Sequence, residues 1–303
     1  MSKNNFSLQP GDTVDVIAPA SGCHPEVIEK FKTFLTGWKL KYHIPEDIFG
    51  SDLLCANSDE KRFNQLSAAL SNSHSKAVWC LLGGYGSPRL LPLLEKLKPI
   101  AQHKLFIGFS DITALHIFLQ MKWGWQTIHG PSGRQAALSQ VSASSLNSLK
   151  KMLFSEKNTL TYALQPLNKL AENDSTITTS IIGGNLSLIQ TSIGTRWQIN
   201  PTDKILFIEE TNERAYKVDR MLGHLKQAGI LDQAKAIILG DFTGGAEPGG
   251  GNFVADTLKI FAEHCNIPVL HLAGAGHGES NYPISFGPPV ALQMGNHSSL
   301  EWI

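Results

Sequence analysis

The stretch Lys104-Leu-Phe-Ile-Gly-Phe-Ser-Asp-Ile-Thr113 places a serine where a predicted strand meets a predicted helix. Residues 105–107 form an apolar run typical of a buried strand, and residues 111–120 carry apolar side chains at helical spacing. Such a turn exposes the hydroxyl of Ser110, and the free N–H groups of the following helix can stabilise an oxyanion. Ser110 is therefore a candidate nucleophile. The alternative is a helix N-cap, whose hydroxyl accepts hydrogen bonds from the first turn.

Short apolar runs alternate with segments of helical periodicity through the first half of the chain. The pattern predicts strands at residues 12–18, 77–82 and 105–109, and helices at 25–40, 59–70, 89–97 and 111–121. This alternation is typical of an α/β fold with a parallel sheet covered on both faces. Ligands of such sheets bind beyond the carboxyl ends of the strands. The loops at 19–22 and 83–86 are therefore expected to converge with Ser110 on one crevice.

The alternation is lost between residues 133 and 180 and then resumes. We predict a nucleophile-bearing domain at residues 1–150, a connection at 151–180 and a C-terminal domain at 181–303. Within the last segment, residues 181–190 suggest a turn that opens a helix. The pattern further predicts helices at 218–228 and 254–265, and strands at 204–208, 236–239 and 269–272. The glycine-rich residues 244–251 lack the Gly-Lys-Ser/Thr ending of a phosphate loop, so we interpret them as a mobile linker or lid.

The composition of the 303 residues limits the possible partners. Lys plus Arg and Asp plus Glu number 26 each, so there is no basic excess to indicate nucleic-acid binding. No apolar run approaches the roughly 20 residues of a membrane span, and the N-terminus lacks the apolar core of a signal peptide. We therefore expect a cytoplasmic protein. The four dispersed cysteines favour free thiols over disulfides or a zinc site: Cys23, Cys55, Cys80 and Cys265.

Two histidines are candidate functional residues by position. His277 lies on a loop after a predicted strand and is flanked by Gly274, Gly276 and Gly278, which permit unusual backbone angles and a close approach of ligand. A surface turn would explain it equally well. His129 occupies a strand-end turn. The remaining histidines show no recognisable metal-ligand spacing, so neither a metal nor a cofactor is predicted.

A carboxylate and a glycine-rich loop complete the candidate site. Glu209 ends the predicted strand at 204–208 and faces the rim where catalytic groups gather, whereas Glu210 is expected to point to the opposite face. An exposed strand end is the alternative for Glu209. The loop Gly83-Gly-Tyr-Gly86 suits either a phosphate or an oxyanion hole, because a backbone N–H can approach a substrate where no Cβ intervenes.

Taken together, these segments resemble the LD-carboxypeptidase family of serine peptidases, which includes the microcin C immunity peptidases. The resemblance covers nearly the whole chain, and the motifs follow the family's order. They are Gly11-Asp-Thr-Val-Asp-Val-Ile-Ala-Pro-Ala-Ser21, Gly83-Gly-Tyr-Gly-Ser-Pro-Arg-Leu-Leu91, Ile107-Gly-Phe-Ser-Asp-Ile-Thr-Ala-Leu115, Ile128-His-Gly-Pro131, Gly183-Gly-Asn-Leu186, Leu206-Phe-Ile-Glu-Glu-Thr-Asn-Glu-Arg-Ala-Tyr-Lys-Val-Asp-Arg220 and Gly276-His-Gly278.

The resemblance implies a role for each candidate residue. Ser110 would be the nucleophile, His277 the general base and Glu209 the residue that orients it, while the amides of Gly84 and Asp111 would form the oxyanion hole. It also implies a flavodoxin-like N-terminal domain, a smaller β-rich C-terminal domain and a homodimer. The implied activity is hydrolysis of the L,D amide bond to a terminal D-amino acid, such as D-alanine on cell-wall tetrapeptides.

The chain departs from the family at Leu82, where an arginine commonly precedes the glycine loop, and this puts the details of substrate specificity in doubt. Two alternatives to the muropeptide activity stay open. One is an immunity-type peptidase that cleaves a peptide- or aminoacyl-nucleotide antibiotic. It would need an aromatic platform, yet the 133–180 segment has few aromatic residues, such as Phe154 and Tyr162. The other is a catalytically inactive binding protein, which the retention of all three triad residues disfavours.

Overall fold

The computed structural model of the chain describes residues 7–155 and 160–303, which divide into two compact units. The first unit contains residues 7–155 and Tyr282–Ser285. The second contains residues 160–281 and Phe286–Ile303. Ser110 therefore belongs to the first unit, and Glu209 and His277 belong to the second.

Strands and helices alternate through most of the described chain. The strands are β1 (Thr13–Ile17), β2 (Lys41–His43), β3 (Ala77–Cys80), β4 (Leu105–Gly108), β5 (Thr127–His129), β6 (Thr161–Ala163), β7 (Gln165–Pro166), β8 (Ser175–Asn185), β9 (Ile205–Thr211), β10 (Ala236–Thr243), β11 (Val269–His271), β12 (Ile284–Phe286), β13 (Pro289–Met294) and β14 (Ser299–Trp302). The α-helices are α1 (Glu26–Gly37), α2 (Asp59–Ser71), α3 (Leu91–Leu94), α4 (Thr113–Trp123), α5 (Gly133–Ala137), α6 (Ala143–Phe154), α7 (Leu186–Ser192), α8 (Ala215–Gln227) and α9 (Val254–Glu263).

The sheet of the first unit has the strand order β2-β1-β3-β4-β5-β12, and β1 to β5 are parallel. The order 2-1-3-4-5 is that of flavodoxin-like folds, which bind ligands where the order reverses, between β1 and β3. Every residue of β3 is buried, as expected for a strand covered on both faces. The loops after β1 and β3 are therefore placed where this fold class binds ligands.

The second unit contains an eight-stranded mixed sheet in the order β6-β14-β13-β8-β9-β10-β11-β7. Strands β8 to β11 are parallel, and antiparallel strands flank them on both sides. The predicted fold class is confirmed, with a flavodoxin-like parallel sheet followed by a smaller, β-rich unit. Strands β12 to β14 had not been assigned from the sequence.

Strand β9 is longer than predicted, and this changes the position of Glu209. The sequence ended the strand at residue 208, but β9 continues to Thr211, and both Glu209 and Glu210 are buried within it. Carboxylates are seldom fully buried unless paired. Two adjacent acids therefore look like a strand end in the sequence, and only their partners explain why the strand continues.

The glycine pair at 183–184 lies in a strand rather than in a helix-opening turn. Strand β8 runs to Asn185, whose side-chain oxygen accepts a hydrogen bond from Leu188 N at the start of α7. A Cβ at Gly183 would lie 1.9 Å from the carbonyl oxygen of Phe207. The glycine therefore allows β8 and β9 to approach closely, a role that sequence alone cannot separate from a turn.

The segment predicted as a connection, residues 151–180, contains regular structure on both sides of the residues left undescribed. It includes the end of α6, the short strands β6 and β7 and the first six residues of β8. The polar residues 172–179 suggested a loop because the outer part of β8 is exposed or half-buried, and its antiparallel pairing with β13 leaves no periodic apolar signal in the sequence.

His116 on α4 forms a hydrogen bond to the last residue of β4. The side chain is completely buried, and its Nε2 lies 2.9 Å from the carbonyl oxygen of Gly108, to which it donates. Burial lowers the pKa of His116 to about 4, although the hydrogen bond to Gly108 opposes this shift. His116 is therefore neutral near pH 7 and serves to hold the strand that leads to Ser110.

Among the described helices, none combines the length and the apolar character that a membrane crossing requires.

We expect Gly183→Ala to destabilise the second unit by about 2–4 kcal/mol, because the new methyl group would collide with the β9 backbone and the residue has a φ of +147°. Denaturant unfolding measures the change. Gly223→Ala is the matched control, since Gly223 lies in α8 with open space around its Cα. That variant should be neutral or slightly more stable. Equal stability of the two variants would contradict the packing described for β8 and β9.

We expect the free energy of unfolding to fall by about 3 kcal/mol between pH 6.5 and pH 4 through His116 alone. The unfolded state binds the proton near pH 6.5 while the folded state resists it, so stability is lost as the pH falls. Denaturant unfolding across this pH range measures the effect. The His116→Gln variant should lose this part of the pH dependence, and the control His74→Gln, at an exposed position, should keep it. If the unfolding free energy of His116→Gln depended on pH as steeply as that of the wild type, His116 would not be the source of the effect.

Candidate active site

Ser110 occupies a strained position directly after β4. Its φ is +64°, in the left-handed region that non-glycine residues rarely adopt, and it begins a 3₁₀ turn over Ser110–Ile112 that leads into α4. Among the described residues, no hydrogen bond involves the Ser110 hydroxyl, and the residue at the N-cap of α4 is Ile112. The serine therefore does not make the hydrogen bond that a helix N-cap requires.

The glycine loop after β3 packs directly against Ser110. A methyl group built on Gly83 would lie 2.8 Å from Ser110 Cβ and 3.2 Å from its Oγ. Ser21 holds this loop from the other side, because its N–H donates to the Gly83 carbonyl (3.1 Å) and its Oγ accepts from Tyr85 N (3.0 Å). The loop can approach the serine this closely because residue 83 has no side chain.

Gly84 adopts a left-handed backbone conformation in this loop, with φ of +96°. A Cβ there would lie 2.4 Å from Ser21 Oγ, so the position also requires glycine for space. Its N–H has no hydrogen-bond partner within the described parts of the chain. This amide is therefore available to an added acceptor, as the oxyanion-hole prediction requires.

The carboxylate of Asp111 has a structural role that the sequence did not indicate. Asp111 is buried, its Oδ2 accepts a hydrogen bond from Ser87 N (2.7 Å), and its own carbonyl accepts from the Ser87 hydroxyl (2.5 Å). Burial raises the pKa of this carboxyl, although its hydrogen bonds to Ser87 oppose the shift. Asp111 thereby ties the end of the glycine loop to the turn that carries Ser110.

Arg62 is a second residue that sequence reasoning missed. The side chain is buried beneath the loops after β1 and β3 and donates to the carbonyl oxygens of Pro19, Asn57 and Gly86. It also pairs with Asp59 one turn earlier on α2. The helical pattern of α2 did not indicate this role, because two of the three carbonyl acceptors, Pro19 and Gly86, lie on distant segments.

In the second unit, His277 and Glu209 form a hydrogen-bonded pair. His277 Nδ1 lies 2.6 Å from Glu209 Oε2, the glutamate side chain is fully buried and the histidine side chain is 16% exposed. Burial is the largest single effect on the pKa of His277 and lowers it, but the charge and hydrogen bond of Glu209, together with the charge of Glu210, outweigh it and raise the pKa. The pair therefore stabilises the imidazolium form.

Glu210 is the neighbouring acid and has entirely different partners. Its carboxylate accepts hydrogen bonds from Asn185 Nδ2 (2.9 Å) and from both the N–H (2.8 Å) and the hydroxyl (2.7 Å) of Ser187. Burial raises the pKa of Glu210, while these hydrogen bonds oppose the shift. Glu210 thereby fixes the junction of β8 and α7, and only Glu209 is directed to His277.

Asp241 fixes the loop that carries His277. Both of its carboxylate oxygens lie 3.1 Å from Gly274 N, and its own N–H donates to the Ala275 carbonyl (2.7 Å). The register of β9 and β10 shifts between Leu239 and Phe242, so Asp241 lies at a bulge. A Cβ at Gly276 would lie 3.2 Å from Glu209 Oε2. The bulge and the glycine together bring His277 onto the end of β9.

His129 and the cysteines, which the sequence also singled out, are buried or half-buried. His129 is buried on β5, and its ring meets the edge of Phe109 with 5.9 Å between centroids. Burial raises the pKa of Cys23 and of Cys265 to about 11, so both thiols are protonated at neutral pH. Within residues 7–155 and 160–303, no three His, Cys, Asp or Glu side chains are grouped to hold a metal ion.

The glycine-rich loop at 244–251 is held by its own hydrogen bonds and by an ion pair to Arg214, at the start of α8. Asn252 Nδ2 donates to the Gly244 carbonyl (2.8 Å), and Glu247 pairs with Arg214 at 3.4 Å. Glu247 N also donates to the Gly251 carbonyl, which closes the loop on itself. Its action as a lid stays a prediction.

Comparison with known proteins gives matches along nearly the whole chain. Residues 14–130 match the family model of the LD-carboxypeptidase N-terminal domain, and residues 178–292 match that of the C-terminal domain. A putative carboxypeptidase of Rickettsia prowazekii is 39% identical over 96% of this chain and 90% of its own length. A murein tetrapeptide carboxypeptidase of Pseudomonas aeruginosa is 32% identical over 97% of this chain and 96% of its own length.

Similarity extends to solved structures and to a second type of relative. The crystal structure of a muramoyltetrapeptide carboxypeptidase from Oxalobacter formigenes has a TM-score of 0.82, 26% identity and coverage of 96% of this chain and 98% of that chain. The microcin C7 self-immunity protein MccF of Escherichia coli is 25% identical over 81% of this chain and 79% of its own length. Since both domain models match in order and the Pseudomonas aeruginosa relative aligns over nearly its whole length, the chain belongs to the LD-carboxypeptidase family.

Proposed function

We propose that the protein is a serine carboxypeptidase that hydrolyses the L,D amide bond to the terminal D-alanine of a muropeptide tetrapeptide. The observation that carries the proposal is the geometry of Ser110: a left-handed backbone, a hydroxyl with no hydrogen bond among the described residues, and a glycine loop in contact with it. A strained serine at a strand-to-helix turn is the arrangement of a nucleophile elbow.

Glu209 and His277 supply the acid–base chemistry in this proposal. Glu209 accepts the Nδ1 proton of His277, which leaves Nε2 as the basic nitrogen. His277 removes the proton from Ser110 Oγ as the oxygen attacks the carbonyl carbon of the scissile bond. The resulting oxyanion is stabilised by the backbone N–H groups of Gly84 and Asp111, an effect worth about 3–4 kcal/mol per donor in comparable sites.

Collapse of the tetrahedral intermediate completes the first half of the reaction. The protonated His277 donates its proton to the leaving nitrogen, so D-alanine departs as a neutral amine and the remaining peptide is an ester of Ser110. Water then attacks the ester carbonyl, with His277 accepting its proton and returning it to Ser110 Oγ. The buried charge of Glu209 favours both steps because each passes through an imidazolium.

The proposed substrate class is supported by the similarity to murein carboxypeptidases, which is stronger than the similarity to the immunity protein. A murein tetrapeptide carboxypeptidase aligns over 97% of this chain at 32% identity, whereas the MccF immunity protein is 25% identical over 81%. Two aromatic residues considered as a nucleotide platform are engaged in packing: Tyr162 meets the Trp302 ring and Phe154 meets the Trp38 ring, both edge-on. We expect the enzyme to act in the cytoplasm as a homodimer.

We expect Ser110→Ala to fold normally and to lose at least about 10³-fold in kcat, because no other group can form the acyl-enzyme. Release of D-alanine from a muropeptide tetrapeptide, followed by mass spectrometry, measures this loss. Ser73→Ala, an exposed serine of the same unit, is the control and should retain full activity. Substantial turnover by the Ser110 variant would refute the assignment of the nucleophile.

We expect Glu209→Gln to lower kcat about 10³- to 10⁴-fold and to move the acidic limb of the kcat/KM profile to lower pH. In the wild type the midpoint of this limb should lie at a pH above the ordinary pKa of histidine, because the charges of Glu209 and Glu210 raise the pKa of His277. Without the Glu209 charge, burial dominates and favours the neutral imidazole.

Exposed Glu263→Gln, in the same unit, is the control and should leave both the rate and the limb unchanged. An acidic limb that stays in place in Glu209→Gln would argue against His277 as the titrating base.

A further inference from the structure

A cleft of about 390 Å³ opens in the first unit beside the glycine loop. Its lining includes Gly22 and Cys23 after β1, Leu82 just before Gly83, and Arg134 of α5. All these residues lie in the first unit. The cleft therefore begins one residue away from the glycine that contacts Ser110.

The backbone of Arg134 is fixed to the end of β3. Arg134 N donates to the Leu81 carbonyl at 2.8 Å, and a Cβ on the preceding Gly133 would lie 3.1 Å from Leu81 Cδ1. The capping box of Ser132 and Gln135 holds the same turn. The backbone that carries the arginine side chain is thus held in place next to Leu81 and Leu82, which lead into the glycine loop.

The charge of Arg134 is not neutralised by a neighbouring acid. In the described part of the chain, no ion pair or side-chain hydrogen bond involves its guanidinium. The one acid that lines the cleft, Glu26, is paired with Lys30 at 2.8 Å. Cys23 is a protonated thiol, because burial raises its pKa to about 11. The cleft therefore presents an unpaired cation.

A carboxypeptidase must distinguish a chain end from an internal residue, and the distinguishing group is the terminal carboxylate. That carboxylate is one residue beyond the scissile carbonyl. An extended chain advances at most about 3.6 Å per residue, so the two groups lie close together. Arginine is well suited to bind it, because its planar donors match both carboxylate oxygens. Leu82 contributes an apolar side chain to the same cleft.

We propose that Arg134 binds the terminal carboxylate of the substrate and so restricts the enzyme to the last residue of the peptide. This inference rests on the proposed function. Arg134 thereby acts as a specificity-determining residue that holds the departing D-amino acid beside Ser110, with Leu82 forming the apolar wall of the same subsite.

The test compares a tetrapeptide that ends in free D-alanine with the same peptide ending in D-alanine amide. For the wild type we expect kcat/KM to be about 10- to 100-fold higher for the free carboxylate, since a hydrogen bond to a charged group accounts for that factor. Arg134→Gln should remove this preference by lowering the rate on the free acid only. Arg134→Lys should retain part of it, and Arg220→Ala, an exposed arginine of α8, should leave it unchanged.

A wild-type preference that persists in Arg134→Gln would overturn the inference. A binding measurement separates this result from failure of the proposed function. In the Ser110→Ala background, calorimetry should show that the free acid binds more tightly than the amide, and that Arg134→Gln abolishes the difference. Absence of D-alanine release by the wild type would refute the proposed activity, while the binding comparison would still decide whether Arg134 recognises a carboxylate. Equal binding of the two peptides before the substitution would overturn the role of Arg134.

Discussion

The close approach of the Gly83 backbone to Ser110 is the constraint on which the geometry of the candidate site in the first unit depends. Contact at this distance is possible because residue 83 has no Cβ and Ser110 holds a left-handed conformation. Neither feature persists by itself, because a left-handed non-glycine residue costs of order 1–3 kcal/mol and needs support from its surroundings. The support comes from Ser21 and Arg62, which bind the glycine loop, and from Asp111, which joins that loop to the serine turn.

Buried charge organises the second unit in a comparable way. Glu209 and Glu210 are adjacent and both buried, yet alternation along β9 directs them to opposite faces. Glu210 is satisfied by Asn185 and Ser187, so its charge is stabilised by fixed donors. The Oε2 of Glu209 pairs with His277, while its Oε1 has no hydrogen-bond partner among the described residues. The charge of Glu209 is therefore directed at the imidazole rather than shared with several backbone donors.

The parts predicted well from the sequence were those with a simple periodic signal. The strand before Ser110 and the helix after it were placed within a few residues, because a continuous apolar run gives way there to apolar residues at helical spacing. The same reasoning failed at β9 and at Gly183, where a buried acid and a strand glycine resembled a strand end and a turn. In both cases the partner that explains the residue lies on a different segment of the chain.

The sequence by itself determined the α/β class, the residue types of the candidate site and the junction of strand and helix at Ser110. These depend on local periodicity and on glycine and serine at particular turns. Tertiary structure alone decided that Arg62 binds the distant carbonyl groups of Pro19 and Gly86, that Asp241 fixes the His277 loop and that Arg134 lies in a cleft beside Leu82. The physical reason is that a hydrogen bond or a salt bridge depends on the distance between atoms in space. Spacing along the chain does not reveal that distance when the partners belong to separate elements.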